Sequence, residues 1–373
     1  MLLTLTDLER AASERLSAMA WGYYASGADD QITLADNIAA FQRVRLMPRV
    51  LVDVSQRAQN TTVLGRSIDL PVLVAPTAMQ GLAHARGELA TAEAAAHAGT
   101  VMVLSTFSNT PIESVAAAVP TWFQLYVYKD RGACKALVRR AEAAGCEALV
   151  VTVDAPLLGQ RLADIRHGFH LPPELALPNL LDRSALMRSP DAGSALQRFV
   201  REMLDPSLSW KDLHWLRNNT ALPVLVKGVL RPDDAARAMK AGCAGVIVSN
   251  HGGRQLDGAI AAVDALPAIA DACEGEVYMD GGVRRGTDVV KALALGARAV
   301  LVGRPMLWGL AIEDPTRPLT ILREELDRAM ALCGAPTVAD LTRDLVVHGA
   351  APSRSHPRGR RPGRAAGAYR AED

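Results

Sequence analysis

Eight short apolar runs recur between residues 72 and 304. They span 72–76, 101–105, 122–127, 148–154, 223–228, 245–250, 277–282 and 299–304, and are rich in Val, Leu and Ile. Runs this continuously apolar suit parallel strands buried on both faces. Between them, 87–98, 131–144, 232–241 and 286–295 read as helices. Gly99, Gly145, Gly242 and Gly296 stand where helix C-caps are expected, because glycine takes the left-handed conformation there without strain. Eight strands alternating with helices predict an α/β fold, a single (β/α)8 TIM barrel. An open doubly wound sheet is the rival arrangement, and the strand count favours closure.

Around this core, residues 1–60 read as helix and then loop, with Thr6 as N-cap and Glu9 completing a capping box. About seventy residues, roughly 155–222, separate the fourth and fifth runs and carry Pro172, Pro173, Pro178, Pro190 and Pro206. Following the C-terminal end of a strand, this insertion is expected over the barrel mouth as a lid; a decorative insertion is the plainer reading. The barrel domain is placed at 1–350, and the Arg/Pro/Gly-rich stretch 351–373 is expected to be disordered.

A formal net charge of +1 argues against nucleic acid or an acidic membrane surface as partner. The five cysteines form no Cys-x-x-Cys pair, so neither a zinc site nor a redox dithiol is indicated, and a reducing compartment is expected. No signal peptide or membrane-spanning apolar run is read, which points to the cytoplasm.

Barrel chemistry belongs at the C-terminal strand ends, and here those ends are polar. They include Ser105, Gln124 with Tyr126, Thr152 with Asp154, Lys227, Ser249 to Arg254, Asp280-Gly281-Gly282, and Gly303-Arg304. The last two ends, with Arg284, offer glycines for close approach and two guanidinium groups, a constellation suited to a phosphate. Turn glycines beside surface arginines are the alternative. Lys227 at an apolar strand's end needs an anion or acceptor. His251 can serve as a base oriented by Asp154, or can be a satisfied structural histidine; Arg254 can clamp a carboxylate.

The stretch Ser249-Asn250-His251-Gly252-Gly253-Arg254-Gln255-Leu256-Asp257 resembles the signature of the FMN-dependent 2-hydroxy acid oxidases and dehydrogenases, which include glycolate and lactate oxidases. The likeness extends to Tyr23 to Ala28, Ala75 to Met79, Phe123 to Tyr128, Asp280 to Asp288, and Val302 to Pro305, over about residues 5–350. It implies FMN as cofactor and oxidation of a small (S)-2-hydroxy acid, like glycolate or L-lactate, to the 2-keto acid, with O2 reduced to H2O2. His251 would be the base supported by Asp154. Arg254 and Arg161 would bind the substrate carboxylate with Tyr23, and Tyr126 the hydroxyl. Pro76, Thr77 and Ala78 would face the flavin ring. Ser105, Gln124, Thr152 and Lys227 would bind its polar edge, and Ser249 the ribityl region. Asp280, Gly281, Gly282, Arg284, Gly303 and Arg304 would hold the ribityl chain and phosphate. Relatives of this kind are homo-oligomers, so a tetramer or octamer is expected.

Some positions depart from the pattern. Phe107 stands where glycolate oxidase has tryptophan, and Gln160 where arginine is more usual; with Leu157 and Leu158 these admit lactate or larger hydroxy acids. The alternatives are a dehydrogenase of the same family passing electrons to a quinone or protein, an FMN barrel of another reaction class, and a flavin-binding barrel without turnover.

Overall fold

The computed structural model describes residues 2–180 and 195–348. The tail expected at 351–373, and Pro190 within the insertion, lie outside the described residues. The eight runs form β1 (Val72–Val74), β2 (Met102–Leu104), β3 (Thr121–Leu125), β4 (Ala148–Thr152), β5 (Val224–Val229), β6 (Gly245–Val248), β7 (Glu276–Asp280) and β8 (Ala299–Val302). They close into one barrel in the order β7-β8-β1-β2-β3-β4-β5-β6, every neighbouring pair parallel. The closed barrel is therefore the architecture, and the open sheet is excluded. Most runs predicted from sequence extend past the strands at their C-terminal ends, because those residues leave the ladder to build the mouth.

The outer ring comprises α1 (Gly87–His97), α2 (Ile112–Ala116), α3 (Arg131–Ala143), α4 (Trp210–Arg217), α5 (Pro232–Lys240), α6 (Ala262–Ala272), α7 (Gly286–Ala294) and α8 (Arg317–Cys333). Gly99, Gly145, Gly242 and Gly296 follow α1, α3, α5 and α7 with positive φ, as their positions predicted. The helix α4 lies inside the span read as insertion, so the excursion proper ends before Trp210. The periodicity of WKDLHWLR was masked by the irregular segment before it.

Strand alternation places the site. Leu73, Val103, Trp122, Val150, Leu225, Ile247, Tyr278 and Leu301 pack into the barrel interior. Two residues further along the same inward rows come Ala75, Ser105, Gln124, Thr152, Lys227, Ser249, Asp280 and Gly303. The apolar plug thus gives way to polar groups within one step along six of the eight strands, Ala75 and Gly303 being the exceptions. Below, a hairpin of Thr61–Val63 and Arg66–Ile68 seals the floor with Val63 and Ile68. Its Leu64-Gly65 turn has positive φ at both residues, and the Leu64 N–H donates to Glu276 Oε2 at 3.0 Å.

The N-terminal region corrects the expected helix-then-loop. It folds as three helices, Leu5–Arg15, Ala18–Ala25 and Ile32–Arg43. The capping box is formed by Thr4 and Asp7 rather than Thr6 and Glu9: the Asp7 N–H donates to Thr4 Oγ1 at 3.1 Å and the Thr4 N–H to Asp7 Oδ2 at 3.0 Å. An aspartate at N3 reaches back as a glutamate would, and Thr4 also begins such a pair. The helix Ile32–Arg43 has no cap of its own. Asp257 from the loop after β6 accepts its Thr33 N–H at 2.8 Å and its Ile32 N–H at 3.2 Å.

Barrel closure leaves no room at Gly245, where an added Cβ would sit 2.0 Å from the Glu276 carbonyl oxygen on β7. Gly245→Ala is expected to force β6 from β7 and destabilise the fold by about 1–3 kcal/mol, read as a lower midpoint in chemical unfolding.

Candidate active site

A cavity partly open to solvent occupies the mouth of the barrel at the C-terminal strand ends. At its centre stands His251, just past β6, in the left-handed conformation at φ 60°. Its backbone N–H donates to Ser249 Oγ at 3.0 Å. Its Nδ1 lies 2.9 Å from Asp154 Oδ1, and an ionised carboxylate only accepts, so this contact assigns the proton to Nδ1. Nε2 is left free of it and sits 3.5 Å from Tyr126 Oη. Burial pushes the His251 pKa below its usual value; Asp154 opposes this, and the Lys227 charge reinforces it. For Asp154, burial pushes the pKa up, but His251 and Lys227 outweigh it and hold the carboxyl below its ordinary value. The pair is therefore a neutral imidazole held by an anionic carboxylate near neutral pH.

Lys227, at the end of β5, is buried. Its Nζ donates to Ser249 Oγ at 3.0 Å and lies 3.1 Å from Asp280 Oδ2. Burial alone would depress its pKa, yet Asp280 and Asp154 more than compensate and keep it charged. Asp280 lines the cavity, but its carboxylate is the counterion of Lys227 and accepts from Ser249 Oγ at 2.6 Å. Ser249 does not line the cavity; it is the hub between Lys227, Asp280 and His251. Gln124 and Thr152 are also set behind the wall, with Gln124 Nε2 donating to Thr152 Oγ1 at 2.9 Å.

On one flank, Arg254 spans the rim. Its Nη1 donates to the Ser26 carbonyl at 2.8 Å, and its guanidinium lies 5.2 Å from the centre of the Tyr23 ring. Burial and the nearby Arg161 charge lower its pKa to about 10. Arg161 comes from the insertion, is itself buried, and has no partner for Nε. The insertion also brings Phe169 to stack on Tyr23 at 4.3 Å, and adds Leu158, Val200 and Leu204 to the wall. These facts support its expected position over the mouth. Phe107 stacks on Tyr126 at 5.1 Å and meets Phe199 edge-on at 5.6 Å. Of the two leucines, Leu158 lines the cavity while Leu157 points to solvent.

At the far end, Arg304 donates to the carbonyls of Tyr24 (2.9 Å), Gly252 (3.0 Å) and Ser26 (2.9 Å). Burial, with Arg254 and Arg284 nearby, holds its pKa well below normal. Arg284 is similarly depressed by burial and leaves Nε without a partner. Gly281 and Gly282 adopt positive φ, and a Cβ on Gly282 would fall 1.9 Å from the Asn37 carbonyl oxygen. Pro76, Thr77 and Ala78 from the loop after β1, Ser105 from β2's end, and Gly303 complete the lining.

Several contributors escaped the sequence reading. Gln255 ties two loops by donating from Nε2 to the carbonyls of Asp154 and Leu157, both at 2.8 Å. Asn250 and Asn37 exchange side-chain hydrogen bonds of 2.8 and 2.7 Å, fixing the motif loop to an N-terminal helix. Gln255 and Asn250 lay inside the recognised motif, which was a signal; Asn37 and Phe199 carried none.

Among the described residues, none of Arg161, Arg254, Arg284 and Arg304 has a carboxylate within ion-pair distance. Largely shielded guanidinium groups that no carboxylate contacts suit anionic ligands. Two at one end fit a phosphate, and two beside His251 fit a carboxylate. Gly281, Gly282 and Gly303 line the cavity without side chains and charged Lys227 stands in its wall, which suits an electron-accepting ring. These residues therefore fit FMN.

Fold and site together define a flavin-dependent barrel oxidoreductase, and the chain belongs to the FMN-dependent dehydrogenase family, which it matches over residues 12–348. It is 53% identical over 351 residues to an L-lactate oxidase of Nostoc sp., covering 91% of this chain and 96% of that one. It is 50% identical over 357 residues to 2-hydroxyacid oxidase 1 of Homo sapiens, covering 92% and 96%. Among solved structures, mandelate oxidase with (S)-4-hydroxymandelic acid matches at a TM-score of 0.90 and 42% identity, covering 94% of this chain and all of the other.

Replacing Arg284 by leucine removes a buried cation with a free donor. FMN affinity of the apo-protein, followed by fluorescence titration, is expected to fall about ten- to a hundredfold, as for loss of a charge-assisted hydrogen bond.

Proposed function

We propose that the protein oxidises a small (S)-2-hydroxy acid to the 2-keto acid and reduces O2 to H2O2. The observation that carries this is the free Nε2 of a neutral, Asp154-held His251, set beside buried Arg161 and part-buried Arg254, neither of which is in ion-pair contact with a carboxylate among the described residues. Relatives named as lactate and 2-hydroxyacid oxidases support the substrate class and the oxygen acceptor.

Arg254 and Arg161 bind the substrate carboxylate, and Tyr23 borders that site. Tyr126 Oη hydrogen-bonds the substrate hydroxyl and keeps it near His251. The Nε2 of His251 takes a proton as the substrate gives up two electrons. Asp154 then stabilises the imidazolium, which would otherwise be an unpaired charge in a buried site. FMN, when bound, would supply the two-electron acceptor, and Lys227 would bring a positive charge to its polar edge. The roles of Pro76, Thr77, Ala78 and Ser105 as flavin contacts, and of Gly281, Gly282, Arg284, Gly303 and Arg304 as the phosphate end, belong to the same proposal. The walls of Phe107, Leu158, Val200 and Leu204 favour a hydroxy acid with an apolar side chain over glycolate. A cytoplasmic homo-oligomer is part of this reading; the largely exposed Val50 and Leu51 support a second copy as their cover.

Anaerobic addition of L-lactate, glycolate, L-mandelate and a longer 2-hydroxy acid tests the assignment. At least one should bleach the flavin band, and air should restore it with one peroxide per turnover. Bound flavin that no 2-hydroxy acid bleaches would overturn it. His251→Gln should retain flavin and lose about 10²- to 10⁴-fold in turnover, the usual worth of a general base.

The pH profile follows from the depressed histidine. Neutral His251 is the active form, so kcat/KM should fall with acid through a limb centred below 6.5. Because Asp154 raises the His251 pKa, Asp154→Asn should move that limb to still lower pH while reducing the maximal rate. A limb that moves upward would contradict this arrangement.

A further inference from the structure

Glu88 sits in the first turn of α1, fully buried, and outside the cavity wall. Its carboxylate accepts three hydrogen bonds from two different loops. Oε1 takes the Gln80 N–H at 3.1 Å and the Asn109 N–H at 3.0 Å, and Oε2 takes the Thr110 hydroxyl at 3.0 Å. Gln80 belongs to the loop after β1, while Asn109 and Thr110 belong to the loop after β2.

Each arm leads to the site. Gln80, itself buried, donates from Nε2 to Thr77 Oγ1 at 2.9 Å, and its Oε1 accepts from Thr91 on α1 at 2.6 Å. Thr77 lines the cavity beside Ala78. Between the loops, the Met79 N–H donates to the Phe107 carbonyl at 3.0 Å, with Met79 held at φ 57°. On the second arm, Asn109 accepts the Gly81 N–H at 2.9 Å and donates to the Ala176 carbonyl at 2.7 Å, within the insertion. Buried Asn179 then donates to Ser108 Oγ at 3.2 Å and the Thr110 carbonyl at 3.0 Å, and accepts the Ile112 N–H at 3.1 Å.

We propose that Glu88 is a positioning residue that pins the β1 loop, the β2 loop and the insertion together, and so sets both the flavin-facing wall at Thr77 and Ala78 and the substrate-facing wall at Phe107. A carboxylate suits this place because one oxygen accepts two converging amides while the other takes a hydroxyl. Removal leaves two N–H groups buried without partners, and the loops must shift to satisfy them. Displacement of about 1 Å in such walls is enough to cost up to 10²-fold in rate.

The test uses the full chain loaded with FMN. Glu88→Ala should weaken FMN binding to the apo-protein by about tenfold, alter the visible circular dichroism of the bound flavin, and lower kcat/KM by about ten- to a hundredfold. Glu88→Gln keeps an oxygen for the two amides and a donor for Thr110, so it should restore all three to within about threefold, whereas Glu88→Met, which fills similar space but accepts no amide, should not. Should Glu88→Ala not fold, half-buried Asn109 carries the test. Asn109→Ala removes the side-chain bonds to Gly81 and Ala176 and should raise the substrate KM about fivefold or more, with a smaller effect on FMN affinity than Glu88→Ala. Wild-type flavin binding, dichroism and kcat/KM in a folded Glu88→Ala would overturn the proposal, as would an unchanged KM in Asn109→Ala. Flavin affinity and dichroism are read without any hydroxy acid, so failure of the proposed activity leaves this test standing.

Discussion

The constraint on which the rest depends is the two-residue alternation of side chains in a closed parallel barrel. Once the eight strands close, every second residue must point inward, and the inward rows all finish at the same rim. Leu225 and Lys227, Tyr278 and Asp280, Ile247 and Ser249 are successive members of such rows. A single step along six of the eight strands takes the chain from a dry plug to a polar site. The plug excludes water from beneath, and charges at the rim consequently act at low dielectric.

That setting explains the electrostatics. Lys227, Asp154 and His251 stand together and shift one another, with Asp280 as the counterion of Lys227. Lys227 stays charged through Asp280, and His251 stays neutral because burial and Lys227 outweigh Asp154. The arginines are different, since they meet carbonyl oxygens rather than carboxylates. Carbonyls orient a guanidinium without neutralising it, so its charge remains for a ligand.

Much of this was legible before any coordinates. The strand count, the glycines at helix C-termini, the rim position of the polar residues and the His251–Asp154 pair all follow local rules of spacing. The sequence motif led to Arg254 and to the glycines of the phosphate end. What was misread shows where local rules stop. Thr6 and Thr4 both begin plausible capping boxes, and only packing chose Thr4. The floor hairpin at Thr61–Ile68 is too short to announce itself, and α4 was hidden in the insertion. The contacts that join Ser249 and Asp280 to Lys227 were not expressed in the motif.

The sequence alone thus determined the barrel, the end of it that carries chemistry, and the residue types gathered there, because each depends on periods of two or about four residues along the chain. Tertiary structure decided which of those residues touch. Asp257 caps a helix some 225 residues earlier, Asn250 pairs with Asn37, Phe199 backs Phe107, and Glu88 joins two loops. Such contacts join positions that share no local period. They exist only after barrel closure brings the loops to one rim, and no pattern along the chain can express that.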